Sequence, residues 1–74
     1  DTLLKNFENT ENECKSLLQK NLSLPAYDQC LKASHIFNLL DARGVIGVAE
    51  RTGYITRIRE LAKGCGALWL SSQS

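Results

Sequence analysis

Ala26, Cys30, Ala33, Phe37 and Leu40 recur at alternating spacings of four and three residues, the interval that returns side chains to one line of an α-helix and makes a seam for a partner helix. No other feature of the chain constrains its fold as strongly. Tyr27 and Ser34 lie beside the seam, Ile36 and Leu39 project away from its centre, and Leu31, His35 and Asn38 occupy the remaining side. A helix with apolar residues on more than one side is central in its bundle or covered by further protein. Upstream, Leu3, Leu4, Phe7, Cys14, Leu17 and Leu18 fall in a single stripe, which predicts an amphipathic helix over about 2–20. Glu11 and Lys15 stand four apart, acid first, as a pair for its wet side. Downstream, Arg51, Ile55, Ile58, Ala62, Cys65 and Trp69 line a third stripe flanked by Tyr54, Leu61 and Leu68, predicting a helix over about 48–70. Sustained period-two alternation occurs nowhere. The expected architecture is all-α: a small three-helix bundle forming a single domain over 1–70, with 71–74 as a disordered tail.

The joints have their own signals. Pro25 fits the first turn of a second helix over about 25–41, with Ser23 or Leu24 as its cap region. Between helices two and three, Asp41, Arg43, Gly44, Gly47, Glu50 and Arg51 read as structural residues. Gly44 ends one helix in a left-handed conformation, Gly47 caps the next with Glu50 reaching back from the N3 position, and Val45 and Ile46 tuck into the core. The spelling Gly44-Val45-Ile46-Gly47 matches a nucleic-acid-clamping G-x-x-G loop. Such a loop belongs to an α/β module, and no strands accompany this one. Arg51 falls inside an apolar stripe, so it is expected to pair with Asp41 or with carbonyls, at a cost on the order of 2 kcal/mol if truncated, the alternative being an edge arginine in water. Gly53 and Gly64 fall opposite that stripe and are expected to face solvent.

Composition removes several function classes. A chain of 74 residues holds one modest core, and nine basic against eight acidic residues give a net charge of +1, unlike a dedicated polyanion binder. Arg57, Arg59 and Lys63 sit in the basic last third and are the candidate RNA contacts, although a solvated helix face explains such a run more often. Three widely spaced cysteines, Cys14, Cys30 and Cys65, make neither a disulfide framework nor a zinc motif. Each lies on an apolar stripe, as a buried thiol in a reducing cytosol does. His35 is the only histidine. Adjacent Ser34 and His35 point about 100° apart on a helix, so with Asp41 they do not assemble a hydrolase triad. The chain starts at Asp1 without an apolar run of signal or membrane length, and reads as a segment of a longer protein.

At FNLLDARGVIGVAERTGYITRIRELAK, and upstream through LPAYDQCLKASHIFNLLDARG, the chain resembles the C-terminal helical region of the bacterial-type glycyl-tRNA synthetase alpha subunit. Gly47 and Ala49 stand where the family pattern has Ser and Thr, and Gly53, Gly64 and Gly66 where it tends to have alanine or longer residues. The GVAER and CGALWL stretches are similar to fused alpha-beta enzymes. The resemblance implies a class II glycine-tRNA ligase that uses ATP and magnesium through a glycyl adenylate. Its catalytic, ATP and metal residues would lie in an upstream catalytic domain, with no catalytic, cofactor-binding or metal residue in this segment. It also implies a cytoplasmic or plastid-stromal setting without a membrane. The expected role is an accessory helical domain bracing the catalytic domain and the assembly with a beta region or another alpha subunit, tRNA being met through the full enzyme. Leu31, His35, Asn38 and Leu39 are its candidate interface residues. An RNA-contact helical module and a free-standing helical adaptor are the alternatives.

Overall fold

The computed structural model describes residues 2–73. They form α1 (Thr2–Gln19), α2 (Ser23–Ala42) and α3 (Val48–Gln73), and no strand occurs among the described residues. The chain is the all-α three-helix bundle that its periodicities predict.

Both joints close in the same way. At the end of α1 the Asn21 N–H donates to the Leu18 carbonyl (3.1 Å) and the Leu22 N–H to the Leu17 carbonyl (3.0 Å). Asn21 adopts φ 61°, a left-handed conformation that asparagine tolerates better than most residues. The Leu22 carbonyl then accepts the Ala26 N–H at 3.1 Å, so one residue ends one helix and starts the next. Leu22, rather than Ser23 or Leu24, is therefore the cap, without a side-chain bond, and α2 begins at Ser23 with Pro25 inside its first turn. At the end of α2, Gly44 takes φ 68°, its N–H reaching the Asp41 carbonyl (3.1 Å) and that of Val45 the Leu40 carbonyl (3.2 Å). Glu50 Oε1 accepts the Gly47 N–H at 3.3 Å, as its N3 position predicts. Ile46 packs against the core, whereas Val45 is 39% exposed and does not join it.

Helix lengths set the shape. A 26-residue α3 is about 39 Å long and a 20-residue α2 about 30 Å, against a molecular long axis of 42 Å. Ser23 and Leu24 border the same groove as Trp69, so α3 projects past the start of α2 beyond that point. It runs on to Gln73, and most of the 71–74 stretch expected as a disordered tail is helical; Ser74 lies outside the described residues.

The core takes Phe7 and Cys14 from α1, Ala26, Cys30, Ala33, Ile36, Phe37 and Leu40 from α2, and Leu61 and Cys65 from α3. The four-three seam of α2 is buried throughout, and Ile36, expected to point away from it, is buried as well. The face of α3 differs from the one its apolar residues suggest. Tyr54, Ile55, Arg57, Ile58, Leu61, Gly64, Cys65 and Leu68 are wholly or partly buried, while Arg51, Ala62 and Trp69 are exposed. That is a rotation of roughly 65°, about two-thirds of a residue position. It turns Gly64 toward α1 instead of solvent, where an added Cβ would meet Leu18 Cδ1 at 2.8 Å, while Gly53 stays open.

Candidate functional site

The rotation of α3 builds the most organised polar contact among the described residues. Phe7, Glu11, Cys14 and Leu18 recur at four, three and four along α1, so Glu11 stands in a seam position and is buried with its neighbour Thr10. Arg57 on α3 answers it. Its Nε donates to Glu11 Oε2 at 2.9 Å and its Nη2 to Glu11 Oε1 at 2.6 Å, a two-point contact that fixes both orientation and charge. The guanidinium also lies 4.9 Å from the Phe7 ring centroid and 5.0 Å from that of Tyr54, within cation–π range. Phe7 and Tyr54 meet edge to face at 5.0 Å, and Tyr54 reaches Phe37 at 6.1 Å. One cluster thus ties all three helices.

The electrostatics follow from these contacts. The Arg57 hydrogen bonds hold the Glu11 carboxyl below its ordinary range against the opposing effect of burial, and the Arg57 and Lys15 charges add to the lowering. The same bond raises Arg57. A carboxylate stabilised in this way is a poor proton acceptor, the opposite of a general base tuned for neutral pH. Lys15, expected to pair with Glu11 on a wet face, is only an outlying partner at 4.0 Å. Arg57, a candidate RNA contact by sequence, is committed to Glu11. The missed signal was the seam spacing of Glu11, an acid where a core residue is due.

The other predicted residues are more dispersed. Asp41 Oδ2 receives Arg51 Nη2 at 3.4 Å, so the expected partners meet, but Arg51 is 55% exposed instead of lodged in the core. Arg43 is exposed and closes the end of α2 through its backbone, while Gly44, Gly47 and Glu50 form the joint itself. Leu31, His35, Asn38 and Leu39 share one exposed strip of α2, with Leu31 51% and Leu39 39% exposed. Arg59 and Lys63 are exposed and border a shallow depression with Glu60. With Asp41 held by Arg51, Ser34 and His35 gain no third partner from it. Among the described residues no three His, Cys, Asp or Glu side chains could hold a metal ion, and no helix is long and apolar enough to cross a membrane. A groove of about 330 Å³ runs between the start of α2 and the end of α3, with Tyr27, Cys65 and Trp69 among its walls. Apart from Cys65, it was not anticipated from sequence, because it forms only where the last part of α3 comes to lie beside the start of α2.

The chain matches the glycyl-tRNA synthetase alpha subunit family over residues 1–74. It is 51% identical over 70 residues to the glycine–tRNA ligase alpha subunit of Rickettsia bellii strain OSU 85-389, and equally to that of strain RML369-C. Each match covers 95% of this chain and 24% of the relative, so the chain spans about a quarter of the length of these relatives.

Proposed function

The chain belongs to the glycyl-tRNA synthetase alpha subunit family, and on that premise we propose that it is an accessory helical domain of a glycine–tRNA ligase, bracing the catalytic domain and the alpha–beta assembly. The observation that carries this reading is a family match along the whole chain combined with a surface that offers packing but no chemistry. The polar residues brought together inside it form the Arg57–Glu11 tie, whose charges are neutralised by each other. ATP and magnesium are implied by the family for the full ligase, and their ligands are expected in its catalytic domain. Catalysis and tRNA charging belong to the rest of the ligase.

The proposed contact face is the exposed strip Leu31, His35, Asn38 and Leu39. An RNA-contact role is less well supported: without Arg57, the basic face retains Arg59 and Lys63 beside the acid Glu60. The test is made in the full ligase. Leu31→Asp with Leu39→Asp should weaken assembly on size-exclusion chromatography and lower aminoacylation, while Arg59→Ala with Lys63→Ala should leave tRNA affinity and its salt slope nearly unchanged. Normal assembly in the first variant, or a shallower salt slope in the second, would exchange the two readings. The 74-residue chain alone should give no glycine-dependent ATP–pyrophosphate exchange.

A further inference from the structure

The sequence places one cysteine on each helix, and the fold gathers all three into one core. Cys14 is fully buried and Cys30 and Cys65 are each 5% exposed; all three are free thiols. Cys65 of α3 interacts with both Cys14 of α1 and Cys30 of α2, so it is the common neighbour of the other two. It also differs in access. Cys65 lines the groove between Leu24 and Tyr27 of α2 and Gly66 and Trp69 of α3, whose mouth is open where Tyr27 is 50% and Trp69 49% exposed.

We propose that Cys65 is an oxidation site reached through this groove by a neutral hydroperoxide, and that Cys30 resolves the product into a disulfide tying α3 to α2. The apolar walls favour a small uncharged oxidant over a charged one, which would lose its hydration there. The Cys65 sulfur attacks a peroxide oxygen, the S–O bond forms as the O–O bond breaks, and the leaving hydroxide takes a proton to become water. The Cys30 sulfur then attacks the sulfenic sulfur, the S–S bond forms, and the hydroxyl leaves as a second water. Two thiols are oxidised and one peroxide is reduced to water; when the oxidant is an alkyl hydroperoxide, an alcohol replaces the first water.

Cys30 rather than Cys14 is the resolving thiol for two reasons. The Cys14 S–H is held by the Ala26 carbonyl at 3.2 Å, and burial, with Cys65 beside it, pushes Cys14 up to about 12. Burial also raises Cys30, but no hydrogen bond to a carbonyl holds its proton in place. Helix axes ~8–10 Å apart put facing Cα atoms, each ~2.3 Å off its axis, ~3.4–5.4 Å apart, a range that overlaps the ~4.4–6.8 Å span of a disulfide.

The experiment treats the intact, folded 74-residue chain with hydrogen peroxide and then blocks remaining thiols. Peptide mapping without reduction follows, with a urea-denatured sample as a control for reactivity. The expected product is an intramolecular Cys30–Cys65 cross-link, lighter by two hydrogen atoms. Its urea midpoint should be higher and return to the starting value on reduction. In Cys30→Ala, dimedone should trap a sulfenic acid at Cys65, oxidised about tenfold faster than Cys14. Cys65→Ala, checked for folding by circular dichroism, should lose both products, and Cys14→Ala should keep the cross-link. A Cys14–Cys65 link, a cross-link between chains, or a folded chain inert to peroxide that oxidises the denatured control overturns the proposal. The map of the unsubstituted chain decides this even where a variant does not fold.

Discussion

Arg51 and Arg57 stand on the same helix, and each meets one acid from another helix, yet they make different kinds of ion pair. Arg51 touches Asp41 at one point, 3.4 Å away, with the side chains 55% and 36% exposed. Arg57 grips both oxygens of a Glu11 side chain that is only 8% exposed, and two aromatic rings flank its guanidinium. Water competes for both members of the first pair, whereas in the second it reaches Arg57, 37% exposed, but hardly Glu11. The contrast shows that a charge on an apolar face matters energetically according to what the neighbouring helix presents to it. It also separates a joint, which backbone turns already define, from a core in which a charged group has to be satisfied.

The largest effect should come from Arg57→Ala, which leaves a buried carboxylate with only distant Lys15 and uncovers Phe7 and Tyr54. A loss of about 3 kcal/mol is expected in urea unfolding. A value near that of an exposed pair would erase the distinction between the two arginines. Replacing both partners, with Glu11→Leu and Arg57→Met, should recover much of the loss, because apolar residues of similar volume need no partner.

Acid should sharpen the same contrast. Glu11 is depressed in the fold, so its contribution is fully present above the ordinary carboxylate value of 4.5 and is lost as pH falls through the lower folded value. Unfolding free energy measured across that window should drop more steeply in the unsubstituted chain than in Glu11→Gln. Equal slopes would mean that the Arg57 bond does not favour the ionised form.

Next in size are two glycines of α3. Gly53→Ala adds a methyl into open space and should stabilise the chain by roughly 1 kcal/mol. Gly64→Ala offers the same helical gain but drives Leu18 Cδ1 from a 2.8 Å approach, so that gain should vanish unless Leu18 rotates away. Thermal unfolding of the two variants side by side measures the difference, and matching increases would remove the close α1–α3 approach at Gly64. Smallest is Arg51→Ala, expected to cost about 0.5 kcal/mol or less. The 2 kcal/mol anticipated for an arginine inside the stripe does not apply to one that is 55% exposed.

Much of the architecture was legible because local chemistry settles it. The seam of α2 is buried as its spacing predicts, Gly44 takes the left-handed turn, and Glu50 bonds the Gly47 N–H. Each outcome depends on periodicity or on residues within one turn of each other. The candidate site was legible only in part. Asp41 and Arg51 meet across a short joint, so chain connectivity brings them together. Glu11 and Arg57 are separated by most of the chain, and nothing in either helix alone names the other.

The sequence by itself determined three amphipathic helices, two tight joints and an all-α class, because periodicity and turn conformation are properties of short stretches of chain. Only the tertiary structure decided the rotation of α3, and with it which arginine meets a buried acid, which glycine is crowded and which thiols share the core. The hydrophobic effect rewards burial on any sufficiently apolar face, so several rotations of α3 satisfy its pattern about equally. The choice falls to contacts that exist only after helices meet: Tyr54 against Phe7 and Phe37, Leu61 in the core, and a guanidinium matched to the carboxylate that α1 had already placed in its seam.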